Sequence, residues 1–221
     1  MSETLPITQF RHRFFRSRVP SSKLVIGLHG RGDSLVGLSW LPQTLSLDAV
    51  NYLFCNAPDP WESGFSWYER PPNQEPGIRR SRALIFDLLD ELGQQGWESA
   101  DIVLFGFSQG CLLSLDVGLR YPQPLAGILG ISGYLFDPDR IAAEATPHAF
   151  TMPWLLTHGT RDDLLPIGPT REHADLLKAA GIPLEWREFT KGHTIDPRVE
   201  VPVLRTFLRQ ALRLDSLRNS V

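Results

Sequence analysis

The stretch Asp101–Leu115, DIVLFGFSQGCLLSL, constrains this chain more than any other, because a polar Ser108 stands between two glycines where one apolar run meets another. The first run reads as a buried strand and the second as a helix, so Gly-Phe-Ser-Gln-Gly is the junction between them. Two glycines around a serine occur often by chance, and a plain structural turn is the competing reading. The flanks give the motif its meaning. A serine on a sharp strand-to-helix turn has its hydroxyl projected from the end of a sheet, where it can act as a nucleophile. Gly106 and Gly110 leave room for the tight turn and for close approach of helix to strand.

The rest of the chain repeats this alternation. Short β-like runs at Leu24–Leu28, Tyr52–Cys55, Ile102–Phe105, Leu125–Ile131, Trp154–Thr157 and Leu184–Phe189 alternate with helical periodicity at Arg79–Leu92, Cys111–Arg120, Thr170–Ala180 and Val199–Leu214. Several strands are apolar throughout, as expected where helices cover both faces of a mostly parallel central sheet. With 221 residues and no internal repeat, the chain is expected to form a single α/β domain over residues 1–221. Ala57–Arg80 is the main irregular stretch, and its length suggests a functional loop.

Composition narrows the partners. A net charge of −3 with scattered arginines offers no basic footprint for nucleic acid. The first twenty residues lack the apolar core and cleavage site of a secretory signal, and no stretch approaches the length of a membrane span. The last helix is basic and amphipathic, with Leu204, Phe207, Leu208, Ala211 and Leu212 on one face. That stripe suits packing on a core, with a membrane-surface element as the alternative. Cys55 and Cys111, the only cysteines, sit in apolar surroundings and read as reduced core residues, which fits a cytoplasmic protein without a stable membrane anchor.

A serine hydroxyl is a poor nucleophile near neutral pH and needs a base, which in turn needs a group to orient it. On this kind of fold the chain order is serine, then acid, then histidine. His173 lies inside a helix pattern, and His158 ends a strand before Gly159. His193, in the loop Lys191-Gly-His-Thr, suits proton transfer best. Asp162 and Asp163, just beyond the strand ending near Thr157, are both placed to orient it, and spacing alone does not choose between them. Asp196 breaks the expected order. For an oxyanion, the N–H of Gln109 is one donor, and the turn His29-Gly30-Arg31-Gly32 offers a second at the N–H of Arg31, leaving His29 structural.

Four islands in order, LHGRGDS, FSWYE, GFSQG, and HGTRDDLLP with KGH, make the chain resemble the phospholipase/carboxylesterase (acyl-protein thioesterase-like) family of α/β-hydrolases. The resemblance spans about Leu28 to His193. It implies the α/β-hydrolase fold, with Ser108 as nucleophile, Asp162 as acid, His193 as base, and the N–H groups of Arg31 and Gln109 as oxyanion hole. It also implies hydrolysis of a small acyl ester or thioester without metal or organic cofactor. Position 31 is usually leucine in such proteins. An arginine there either biases the site toward an anionic or polar substrate or stands as an ordinary surface charge.

The aromatics Trp61, Phe65, Trp67 and Tyr68, with Tyr134-Leu-Phe136 after a later strand, are the candidates for an acyl pocket, and Trp67, Tyr68 and Tyr134 are taken as its lining. A serine esterase or thioesterase is the leading expectation. A serine peptidase on the same fold and a non-catalytic binding protein that kept the scaffold are the alternatives, and the sequence leaves a homodimer open.

Overall fold

A computed structural model of the protein describes residues 5–215. Its centre is a seven-stranded sheet built from β1 (His12–Phe15), β2 (Leu24–Leu28), β3 (Asn51–Cys55), β6 (Ile102–Phe107), β7 (Gly127–Ile131), β8 (Trp154–Gly159) and β9 (Leu184–Phe189). The spatial order is β1-β3-β2-β6-β7-β8-β9. Only β1 runs antiparallel to its neighbour, with His12 opposite Cys55, and every other pairing is parallel. Between β3 and β6 the chain makes a small antiparallel hairpin, β4 (Asp59–Trp61) and β5 (Gly64–Ser66).

The apolar character of the strands follows from their two covered faces. Leu24, Ile26, Leu28, Leu53, Ile102 and Leu104 point into one core, which also holds residues of α2 (Gln74–Gln94), α3 (Gln109–Arg120) and α5 (Ile167–Ala179). Val25, Phe54, Val103, Phe105, Leu129 and Leu155 point into the other, with α1 (Leu41–Leu45) and α6 (Val201–Ala211). Alternate residues of one strand thus enter different cores, so both phases of the period-2 pattern must be apolar. A short α4 (Ile141–Glu144) completes the α-helices among the described residues.

The amphipathic stripe of α6 faces this second core. Leu204 and Leu208 are fully buried there, while Arg205 donates from Nε and Nη2 to the carbonyls of Leu45 and Thr44 at the end of α1. The face that could have met lipid is occupied by the sheet and α1. Among the described residues no helix is long and apolar enough to cross a membrane.

The elements differ from expectation mainly at edges. Helix α2 begins at Gln74, five residues before the periodic pattern becomes visible, because Pro76 and Gly77 occupy its first turn. Gly77 is needed there, since a Cβ would lie 2.8 Å from the Cβ of Tyr68. β1 carries no periodic signal in the sequence, because an edge strand reading His-Arg-Phe-Phe is half exposed and shows no clean alternation. The Ala57–Arg80 stretch is less irregular than expected, since it contains the β4–β5 hairpin.

The junction of β6 with α3 takes a single residue. Gly110, on the first turn of α3, lies so close to the end of β2 that a Cβ there would stand 2.0 Å from the Leu28 carbonyl oxygen. A Cβ on Gly106 would stand 2.1 Å from the Gly110 oxygen. Both obstacles are backbone, which cannot yield as a side chain can. Gly110→Ala is expected to cost about 1–3 kcal/mol of stability through overpacking, read by calorimetry as a melting temperature lower by roughly 2–12 °C. An unchanged melting temperature would mean that helix and strand part there without cost.

Candidate active site

Ser108 is the one residue of that junction, and it adopts φ 55°, ψ −114°, a conformation rare for any residue with a side chain. Its N–H donates to the Ile131 carbonyl at 2.9 Å, and its own carbonyl accepts from the N–H of Leu112 at 3.2 Å. The main chain is thus tied on one side to β7 and on the other to α3. The hydroxyl is left at the carboxyl ends of the parallel strands.

Two loops from the same edge of the sheet meet it there. His193 places Nε2 2.9 Å from the Ser108 Oγ and Nδ1 2.7 Å from the Asp162 Oδ2. An ionised carboxylate only accepts, so Nδ1 carries the proton, and the serine hydroxyl donates to Nε2. The His193 ring also packs against Phe107, with 5.0 Å between centroids. Asp162 is largely buried, and its Oδ1 accepts from the N–H groups of Leu164 and Leu165 at 3.1 and 2.9 Å. Burial alone would raise its pKa. The Leu165 N–H, the His193 ring and the nearby His158 outweigh that penalty and hold the carboxyl below its ordinary value.

The other candidate acids lie elsewhere. Asp163 is exposed. Asp196 accepts from the N–H groups of Arg198 and Val199 ahead of α6, a local turn contact. Among the remaining histidines, His29 donates from Nδ1 to the Gly30 carbonyl at 2.6 Å and accepts at Nε2 from the Ala57 N–H at 3.0 Å. Burial lowers its pKa, so it stays neutral and structural. His158 donates from Nε2 to the Leu165 carbonyl at 2.8 Å, bracing the loop that carries Asp162. His173 accepts from the Leu135 N–H on a helix remote in sequence.

The turn after β2 abuts the serine. A Cβ on Gly30 would lie 3.2 Å from the Ser108 Cβ, so the chain entering Arg31 runs beside the serine, and Gln109 follows the serine directly. Among the described residues neither N–H donates to another backbone carbonyl. The Arg31 guanidinium lies over the Trp61 ring at 3.9 Å, and its Nε and Nη1 are buried without an acceptor. It is therefore packed against the β4–β5 hairpin rather than extended into solvent.

The expected pocket needs correction at Trp67. This residue is fully buried, donates from Nε1 to the His29 carbonyl at 2.9 Å, and meets Phe10 edge to face. An indole so enclosed supports the site from behind and has no surface to offer a substrate. Tyr68 is also nearly covered. Tyr134 is half-buried and donates to Gln74 Oε1 at 2.8 Å. The apolar groups that do reach solvent nearby in the chain are Trp61, 40% exposed, and Leu164, 70% exposed and two residues after Asp162.

The sequence points only to a backbone role for Gln109, and its side chain has another. Oε1 accepts from the Trp67 N–H at 3.0 Å and from the Ser66 hydroxyl at 3.2 Å, while Nε2 donates to the Tyr68 carbonyl at 2.7 Å. A buried amide with both ends satisfied thus buckles the loop after β5 onto the start of α3. Its adjacency to the serine was the signal available in the sequence. Surface volume does not mark this site: a hollow of about 770 Å³ opens along β1, lined by Phe14, Arg18 and Trp97, and includes none of Ser108, Asp162 and His193.

Comparisons with known proteins agree with this architecture. Residues 14–212 match the family described as Phospholipase/Carboxylesterase. Acyl-protein thioesterase 1 of Emericella nidulans is 34% identical over 219 residues, covering 85% of this chain and 90% of that protein. The Schizosaccharomyces pombe protein of the same name is 35% identical over 161 residues, covering 67% and 72%. The crystal structure of esterase PE8 superposes with a TM-score of 0.83 at 27% identity, covering 93% of this chain and all of that one. The chain belongs to the phospholipase/carboxylesterase family of α/β-hydrolases.

Proposed function

We propose that the protein is a serine hydrolase that cleaves carboxylic esters or thioesters through an acyl-enzyme, with Ser108, His193 and Asp162 as its catalytic groups. The observation that carries this reading is the continuous hydrogen-bonded line from the Ser108 hydroxyl through His193 to Asp162, at 2.9 and 2.7 Å. His193 Nε2 takes the serine proton as Oγ attacks the acyl carbonyl. Asp162 keeps Nδ1 protonated and stabilises the imidazolium that forms. The N–H groups of Arg31 and Gln109 donate to the developing oxyanion. His193 then protonates the leaving alcohol or thiol, and water, deprotonated by the same nitrogen, releases the acid and restores the serine.

The thioester half of the substrate class rests on the thioesterase relatives, and the ester half on the family and the esterase neighbour. Tyr68 and Tyr134 are assigned to the acyl side of the site, with Tyr134 the more accessible. The buried, unpaired thiols of Cys55 and Cys111 fit a reducing, cytoplasmic compartment.

Ser108→Ala should keep the fold by circular dichroism and lower p-nitrophenyl ester turnover by about 10³-fold or more. Normal turnover in that variant would refute the acyl-enzyme. Labelling of wild-type Ser108 by a fluorophosphonate, with cleavage of ester and thioester but not of peptide substrates, separates the esterase from a peptidase and from a non-catalytic scaffold.

Asp162→Asn should lower kcat by about 10²- to 10⁴-fold with a small change in KM, because an amide no longer fixes the Nδ1–H tautomer. Its stability carries a pH signature. A carboxyl whose folded pKa is depressed stabilises the fold above its unfolded pKa and loses that contribution as pH falls through the folded value. The wild-type advantage in melting temperature over Asp162→Asn should therefore be full near neutrality and shrink below about pH 4. An advantage independent of pH would show that the charge plays no part.

A further inference from the structure

Behind the His193 loop lies a buried ion pair that the reaction itself does not use. The side chains of Lys191 and Glu200 are 1% and 0% exposed. The Lys191 ammonium donates to Glu200 Oε2 at 2.8 Å and to the Thr194 carbonyl at 2.6 Å, with Glu200 Oε1 2.7 Å away. Glu200 in turn accepts from the Thr157 hydroxyl at 2.6 Å and from the Asp196 N–H at 2.9 Å. The network therefore grips residues 191, 194 and 196, on both sides of His193, and fastens them to β8 at Thr157 and to the residue preceding α6.

The same loop is held from the acid's side. The Lys191 carbonyl accepts from the Arg161 N–H at 3.0 Å, and Gly159 lets it approach so closely that a Cβ would stand 2.3 Å from that oxygen. β8 thus carries Asp162 on the segment that follows it and anchors the histidine loop through Thr157. Acid and base share one support.

Replacing a buried ion pair with apolar side chains of similar volume is often neutral or stabilising, whereas removing one partner strands a charge. Stability alone therefore gives no account of why a lysine and a glutamate stand here. Apolar groups could fill the space, but they could hold neither the Thr194 carbonyl nor the Asp196 N–H. We propose that the Lys191–Glu200 pair is a positioning element that fixes the His193 imidazole between Ser108 and Asp162, an inference that rests on the catalytic reading above.

The test is the double variant Lys191→Met/Glu200→Leu, which removes both charges together. The expected result is a protein that still folds by circular dichroism, with a kcat lower by about tenfold or more and a KM within about twofold. Fluorophosphonate labelling of Ser108 should slow in parallel with kcat. A folded double variant with wild-type kcat overturns the proposal. If it does not fold, Thr157→Val removes only the hydroxyl tie to β8. A several-fold fall in kcat at constant KM then supports the positioning role, and an unchanged kcat overturns it. Ser108→Ala run alongside keeps the two readings apart: turnover there defeats the catalytic assignment, whatever the ion pair does.

Discussion

The site depends on the close approach of the first turn of α3 to the carboxyl end of β2. Only glycine at position 110 allows the helix to start against the Leu28 carbonyl, and only glycine at position 106 clears the Gly110 oxygen. With strand and helix that close, one residue must turn the chain, and Ser108 is forced to a positive φ. The strain is held by bonds from Ser108 to Ile131 and Leu112, so it belongs to the packing of the sheet rather than to a flexible loop. A half-buried serine hydroxyl held in a fixed direction is the consequence.

Each further part reaches that hydroxyl from the same edge of the sheet. β2 delivers the Gly30–Arg31 turn, β6 the serine, β8 the segment of Asp162, and the chain after β9 the loop of His193. Parallel strands end together, so residues far apart in sequence converge at one edge without long reaches. The connecting loops are then fastened individually. Gln109 buckles the segment after β5, His158 braces the segment before α5, and Lys191 with Glu200 binds the segment before α6. The Gln109 amide and the Lys191–Glu200 pair have their partners, as the low dielectric of the interior demands, while His158 is held through Nε2 alone. Such fastening is what a reaction needs when its groups must hold to within fractions of an ångström.

The identities of the residues near the hydroxyl were legible because their signals are local. A strand run, a glycine-flanked serine and a helix run can be read from fifteen consecutive residues. The order serine, aspartate, histidine needs only the positions of three loops. The two-core arrangement was legible in outline, since strands apolar in both phases have no solvent face. The edge strand β1, the hairpin of β4 and β5 and the first turn of α2 were not, because exposure or proline and glycine dilute the periodic signal there.

The sequence by itself determined the alternation of strands and helices, the turn at Ser108 and the candidates for its partners, all of which follow from short-range pattern and backbone sterics. Tertiary structure decided that Asp162 faces His193 while Asp163 faces water, and that Trp67 is a buried support rather than a pocket wall. It also decided that the Gln109 side chain clasps a loop some forty residues away. Those outcomes turn on which side chains meet across the sheet. Such meetings depend on distances between segments remote in the chain, to which spacing along the sequence carries no direct key.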